Sequence, residues 1–457
     1  MKKQYNIFIL VLLIFVSCSK EFTELAPISE RNADNFYNTA SDMEVAVNAI
    51  YSTLKANGTF NQSYWILQEL RSDNTFWDGT GLAEEVTVFD KFTDISTSNI
   101  TEAAWTDSYL GVSRANIVLN RIDDIDMDNT LKSRLKGEAL FLRSFYYYNL
   151  AVLFGNIPLV LNETASVEEG NNHTQVGASE VYSQIVTDLI DAETALPGKS
   201  SATNGRATKG AAATLLAKVY LTMGGEAANA EASLRRVLTY GYSLVSDYSL
   251  LWGVENEYNA ESIFEVDFQG GLSNQGNQFT NQFHGVLSQS VTSGQRNIPE
   301  QDLIDAYETG DLRFAASIDG IEGISTGYTI KFGSTNPYND DDASNNWPVF
   351  RYADVLLMLA EAIGESTEAY GYINQVRARA GLAPIDATTP GSFVDKLLQE
   401  RRVELAFENH RWPDLLRMNE AESVMAAQGK NINGKLLFAI PQRELDLNSN
   451  YNQNSGY

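Results

Sequence analysis

One cysteine, three histidines and a single long apolar run are all that this 457-residue chain holds of the features that usually announce chemistry. A lone thiol at position 18 excludes disulfides within the chain and cysteine-based metal sites. His173, His284 and His410 fall in unrelated contexts, with no HExxH pair and no Cys/His cluster, so the sequence offers no zinc site. Basic residues are scarce too: 33 Lys and Arg stand against 59 Asp and Glu, a formal charge of −26. Such a surface repels phosphate backbones and anionic lipid heads, which removes nucleic acid and acidic membranes as partners. No G-x-S-x-G elbow occurs. "GRATKG" at 205–210 has phosphate-loop spacing, but Ala211 stands where the lysine is required and no strand precedes it. Asp124, Asp126 and Asp128 have the spacing of an EF-hand start. The turn glycine is missing at 129, and Leu135 replaces the closing glutamate.

The one apolar run gives the cysteine its meaning. Lys2 and Lys3 precede "IFILVLLIFV" at 7–16, and Ser17 precedes Cys18. A charged start, an apolar stretch and a small residue at the cut are the parts of a secretory leader. The run is too short to span a bilayer, which needs about 20 apolar residues. Cleavage before a cysteine is the lipobox pattern, so residues 1–17 read as a lipoprotein signal peptide. Cys18 then becomes the mature N-terminus and carries the lipid. Two or more acyl chains make such anchoring stable, and the anchor would be the only membrane contact.

What is present is ample material for a core. Apolar residues make up 44% of the chain, with 22 Tyr, 21 Phe and 6 Trp, which excludes disorder as the default. "SDMEVAVNAIYSTLKANG" reads as a helix with Ser41 as its N-cap. In "LKSRLKGEALFLRSFYYYNLAVLFGNIPLV", Leu135, Ala139, Leu142, Phe145 and Leu153 share one helical face, and Gly155 with Pro158 ends it. Further helices follow around Tyr182–Leu196, from Thr208 to Gly224 with the close-packing run Ala211–Ala213, and in "EAANAEASLRRVLTYG". Hairpins recurring every 30 to 45 residues predict a tetratricopeptide-like array. Between Tyr242 and Trp347 the texture changes to Gly, Asn, Gln and Ser with scattered aromatics, and "ESIFEVDFQGG" alternates like a strand. Helices return from Arg351, and the closing "LLFAIPQRELDLNSNYNQNSGY" has no helical period and is expected on the surface. The fold class expected is mainly α: a helical-hairpin scaffold with an irregular, partly β ligand-binding subdomain. Its divisions are 18–240 (N-terminal helical), 241–346 (irregular, mixed) and 347–457 (C-terminal helical with tail).

Six stretches together resemble one family: "GEALFLRSFYYYNLAVLFGNIPLV", "GRATKGAAATLLAKVYL", "RYADVLLMLAEA", "INQVRARAGL", "ERRVELAFENHRWPDLLR" and "AIPQRELDLNSNYNQNSGY". In their order, and with the lipobox, they are similar to the SusD/RagB nutrient-binding outer-membrane lipoproteins of Bacteroidetes. The resemblance implies a lipid-anchored protein exposed on the cell surface, seated over a SusC-like TonB-dependent transporter. It implies a nutrient ligand, most often an oligosaccharide, with no cofactor and no catalysis. "SKE" after Cys18 partly matches the signal these lipoproteins use for surface export.

Within "QERRVELAFENHRWPDLLR", Glu400, Arg401, Glu404, Glu408 and Arg411 recur at three- and four-residue spacing, and they read, with Arg351, as structural ion pairs. "NQSYWILQELRSDNTFWDGTGLAEE" is the constellation for a ligand. Sugar rings pack their C–H faces on aromatics, while their hydroxyls need amide and carboxylate partners. Trp with Asn or Asp in a Gly-bounded loop supplies both, and the family resemblance implies Trp77, Phe76, Asn74 and Asp78 as the contacts from it. By the family resemblance, Phe279, Phe283, His284 and Trp347 from the irregular region join them, whereas Trp65 and Trp105 sit in helix-like runs and are expected in the core. "NDDDASNN" around 340–342 reads first as a solvated acidic turn and second as a Ca²⁺ loop. Three alternatives stay open: a peptide-capturing relative, a surface glycoside hydrolase using two of the 59 carboxylates, and a pure scaffold.

Overall fold

The computed structural model describes residues 36–77, 84–283, 296–320, 327–333 and 342–457. Cys18, Asp78, His284, Asp340 and Asp341 lie outside the described residues.

Helix α1 (Ala40–Thr53) starts from Thr39, two residues earlier than the expected cap Ser41. The Asp42 carboxylate accepts from the Thr39 N–H at 3.0 Å while Thr39 Oγ1 accepts from the Asp42 N–H at 3.2 Å. This reciprocal pair satisfies two orphan donors, which Ser41, exposed in the first turn, does not match. The helix buries Met43, Ala46, Val47 and Ile50, the spacing of one helical face. Two short helices follow, α2 (Ser63–Gln68) and α3 (Glu84–Asp90), then the long α4 (Asn99–Arg121) and α5 (Asn129–Phe154).

From Glu138 to Phe154 every residue of α5 is buried, so it is the central helix rather than a one-faced one. Asp128 caps it by accepting from the Thr130 and Leu131 N–H groups, and Gly155 ends it at φ 71°. At the α4–α5 crossing only glycine fits: a Cβ on Gly111 would fall inside the ring of Tyr146. The hairpins continue with α6 (Ala178–Ala195), α7 (Lys209–Met223) and α8 (Ala227–Val237), each packed on its predecessor. Thr208 caps α7, Gly224 closes it, and its buried Ala211, Ala212 and Ala213 bring the neighbours close. Helix α8 then packs on α9 (Tyr352–Ile363), and α9 on α10 (Thr367–Arg379). The result is the tetratricopeptide-like array of antiparallel pairs.

The region between α8 and α9 is built around strand β1 (Ser262–Val266), paired antiparallel with β2 (Trp347–Arg351). The alternation in "ESIFEV" suggests one wet face, but all five residues of β1 are buried. Its carboxylates are sequestered instead: Glu265 accepts from Asn346 Nδ2 at 2.9 Å, and the preceding Glu261 accepts from Arg351 at 2.6 Å. Phe264 packs edge-on against Phe141 and Phe145 of α5, which ties this ladder to the helical array. One apolar core therefore runs from Met43 to Ile440.

Helices α11 (Phe393–Glu404) and α12 (Arg411–Arg417) carry the charged stretch read from sequence, and they bury it. Arg351 reaches Glu408 at 2.6 Å and Glu404 at 2.9 Å; Arg313 reaches Glu400 at 2.6 Å; Arg401 reaches Asp414 at 2.7 Å and Asp354 at 2.8 Å. Burial alone would raise Glu404, but Arg379, Arg351 and Arg313 together hold its carboxyl down at about 2. Burial and the Lys218 charge push His410 down to about 3, so a neutral imidazole faces the Lys218 ammonium at 2.8 Å. No group of His, Cys, Asp and Glu among the described residues has the arrangement to hold a metal ion.

The C-terminal tail departs from its expected surface course. Phe438, Ala439 and Ile440 are fully buried, and the Phe438 N–H donates to the Leu153 carbonyl at 2.8 Å at the end of α5. After the short α13 (Gln442–Leu447) the chain returns, and Asn454 Nδ2 donates to the Phe154 and Phe438 carbonyls at 2.9 and 2.7 Å. The departure is confined to residues 438–441, which line the core; apart from the buried Asn448, the rest of the tail keeps to the surface as expected.

Candidate functional site

The chain after α2 has little regular structure, so its position must be imposed by side chains. Glu69 accepts from the Phe407 and Asn409 N–H groups at 2.9 and 3.0 Å, two residues held at positive φ of 70° and 65°. Burial lifts the Glu69 carboxyl to about 7 even against these bonds and that from Asn74. Asp73 takes a two-pronged fork from Arg411 at 2.7 and 2.8 Å. Burial would raise its carboxyl, but the Arg411 and Arg402 charges hold it below the usual range. Asn74 Oδ1 accepts from Arg402 Nε at 3.0 Å, and its carbonyl accepts from the Glu300 N–H at 2.8 Å. Thr75 and Phe76 then pair with Pro299 and Ile298. Forked guanidinium–carboxylate pairs fix direction as well as distance. The segment is thus fastened from the C-terminal helices, and it delivers Trp77 half-buried at the surface with the Arg296 guanidinium 5.3 Å from its ring centre.

Trp77 lines a groove of about 340 Å³, together with Asn57, Gln62, Glu85, Asn99 and Arg296 over a small apolar base that includes Val86 and Ile100. Asn57, Glu85 and Asn99 are exposed, so their polar groups face solvent. Asn61 Nδ2 donates to Asn57 Oδ1 at 3.0 Å, which orients the Asn57 amide. Amides offer both donors and acceptors, the carboxylate accepts only and the guanidinium donates only. One indole edge flanked by this mixture can hold a polyhydroxylated ring by C–H packing and several hydrogen bonds.

Of the residues singled out from sequence, Trp77 lines the groove and Phe76 sits half-buried beside it in the two-residue ladder. Asn74 is 1% exposed and spent on Arg402 and Glu69, so it holds the segment rather than facing a ligand. Phe279, Phe283 and Trp347 are closed off in the core. The one-turn helix Phe279–Phe283 puts its two ends on one face, and that face packs against Phe332 and Trp347, with centroids 5.0 Å apart for Phe279–Trp347 and 5.6 Å for Phe283–Phe332. These three aromatics serve as apolar filling, with no face left for a sugar. Asp78 and His284 lie outside the described residues, as does Cys18, the residue expected to carry lipid. Trp65 and Trp105 are buried, as expected. The polar lining residues Asn57, Gln62, Asn99 and Arg296 went unread because they come from three separated segments, the turn before α2, the start of α4 and the loop at 296, which nothing in the linear order joins.

Two family models match the chain: one described as "Starch-binding associating with outer membrane" over residues 25–221, the other as "SusD family" over 315–435. SusD-like protein P2 of Formosa agariphila is 26% identical over the full length of both chains. The starch-binding protein SusD of Bacteroides thetaiotaomicron is 24% identical, with 87% of this chain and 86% of that one aligned. Among solved structures, a laminarin binding SusD-like protein superposes with a TM-score of 0.82 at 30% identity, covering 92% of this chain and 100% of that one. Surface glycan-binding protein A of Bacteroides thetaiotaomicron, solved with laminarihexaose, shares the fold with a TM-score of 0.80 at 22% identity. Full-length agreement in sequence and in the path of the backbone leaves one conclusion: this chain belongs to the SusD/RagB family.

Proposed function

We propose that the protein is a non-catalytic nutrient-binding lipoprotein that holds an oligosaccharide in the Trp77 groove. The observation that carries this reading is the groove itself, with one indole, two exposed asparagines, a glutamine, a glutamate and an arginine around a small apolar base. That lining suits neutral rings bearing many hydroxyls, and among the described residues Glu85 is its carboxylate. The relatives named above for starch and laminarin binding support the carbohydrate class, and laminarin is the first ligand to try because the 30% identical relative carries that name.

In the same reading, lipid on Cys18 tethers the protein to the outer membrane at the cell surface, and the bound glycan passes to a SusC-like TonB-dependent transporter. The family resemblance and the lipobox sequence are its support.

Calorimetry of the purified protein against laminarin and soluble starch tests the binding step. Binding of one of them, weakened at least tenfold in Trp77→Ala, is the expected result. Release of new reducing ends from a bound glycan, abolished by a single Asp or Glu substitution, would replace this reading with a hydrolase. Silence toward both glycans together with peptide binding would replace it with a peptide carrier.

A further inference from the structure

A second groove, larger at about 570 Å³, lies on the other side of the turn that bears Asn57. Helix α1 makes one wall. Its core face is Met43, Ala46, Val47 and Ile50, whereas Val45, Asn48, Ala49 and Ser52 repeat the same spacing two residues out of phase, on the opposite side. That outer face carries Val45, 46% exposed, beside the exposed Asn48 amide, so it is amphipathic where a solvated face would be polar throughout. The opposite wall is Asp267 and Gln275, and the turn at Asn204–Arg206 closes one end. Gly205 sits there at φ +70°, close against the Asp267 side chain.

The floor is charge-balanced. Lys55 and Arg206 face Glu265 and Asp267, and Arg206 is already held by Glu138 at 2.7 Å. Neither an anion nor a cation gains from such a lining, but a neutral ligand rich in hydroxyls does. Lys55 Nζ donates to Gln275 Oε1 at 2.6 Å and stands 4.0 Å from Asp267 Oδ2. A hydroxyl oxygen at ordinary hydrogen-bond distance from both would accept from the ammonium and donate to the carboxylate. Burial draws the Lys55 pKa down in spite of Asp267, the mark of a cation set into a wall instead of waving in water.

The two grooves flank the turn after α1: Lys55 lines one and Asn57 the other, and two residues of chain span at most about 7 Å, a short step for a glycan chain crossing the turn. We propose that the second groove extends the Trp77 groove and holds further sugar residues of the same neutral glycan chain, with Lys55 and Asp267 gripping its hydroxyls. This inference rests on the Trp77 groove being a glycan site.

The test is calorimetry with laminaritriose and with laminarin on the full protein. The wild type is expected to bind the polymer more tightly than the trisaccharide. Lys55→Ala combined with Asp267→Ala is expected to lower polymer affinity about tenfold, the size of a hydrogen bond to a charged group, and to leave the trisaccharide unchanged. Gln275→Ala, at a half-buried loop position, provides a milder second variant, and thermal melting by circular dichroism verifies that each variant is folded. Polymer affinity unchanged in folded variants, while Trp77→Ala weakens it, overturns the extension and leaves the first groove standing. Loss in the Lys55 and Asp267 variants with no effect of Trp77→Ala overturns the first groove and with it the extension, and leaves the second groove as a separate site. A wild type that binds neither laminarin nor soluble starch sinks both.

Discussion

The helical array of α1 to α8 and the half of the molecule that follows β1 are held by different forces. In the array, α5 is buried nearly all round and its neighbours approach over Gly111 and Ala211–Ala213, so close packing does most of the holding, with the forked Arg143–Asp188 pair between α5 and α6 as an addition. Beyond β1, irregular stretches alternate with helices α9 to α12, and these segments are tied to one another by buried guanidinium–carboxylate pairs from Arg313, Arg351, Arg379 and Arg401. Apolar packing is tolerant of direction, whereas a forked ion pair is not. The second device suits chain that must be fixed without a ladder of backbone hydrogen bonds. The segment at 69–77 that carries Trp77 belongs to the first half by sequence and to the second by its fastening, through Glu69, Asp73 and Asn74.

Breaking each device in turn sharpens the contrast. Arg351→Met leaves Glu261, Glu404 and Glu408 without their shared counter-charge, and a loss of about 3–5 kcal/mol is expected in urea unfolding at neutral pH. Leu142→Ala, in the fully buried centre of α5, should lose about 2–5 kcal/mol by creating a cavity. The two losses part company in acid: the Arg351 deficit shrinks as the stranded carboxylates take up protons, and the Leu142 deficit stays.

A second expectation concerns the wild type alone. Glu404 is held at about 2, below its ordinary 4.5, so the native state binds this proton less readily than the unfolded chain. Its contribution is present above pH 4.5 and lost as pH falls toward 2, roughly 3 kcal/mol over that window. Melting temperature followed across that range should drop steeply, and a flat profile would contradict the account of the network. The smallest effect belongs to the tail. Asn454→Ala strands the Phe154 and Phe438 carbonyls and should lower stability by about 1–2 kcal/mol in the same unfolding assay, without touching glycan binding.

Much of the architecture was legible because it is local. The helical course of α5, its stop at Gly155 and the Thr208 cap of α7 depend on residues within a turn or two of each other. The spacing of Glu400, Arg401, Glu404 and Glu408 announced ion pairing even though the partners, such as Arg313 and Arg351, come from far along the chain. What failed to show is set by distance. Asn74 looks like a ligand amide in "SDNTFWDG", yet its oxygen is taken by Arg402, 328 residues away. Phe279, Phe283 and Trp347 stand among glutamines and asparagines that suggest solvent, and the burial of those aromatics follows from Trp65 and Phe332 arriving from elsewhere. The tail misled in the opposite sense, since its polar text conceals Phe438 and Ile440 in the core.

The most direct measurement is a crystal structure of the protein grown with laminarihexaose. The account predicts density for a sugar ring against Trp77, with hydroxyls within hydrogen-bond distance of Asn57 or Asn99. A hexasaccharide bound elsewhere on the molecule, with the Trp77 groove holding only solvent, would contradict it.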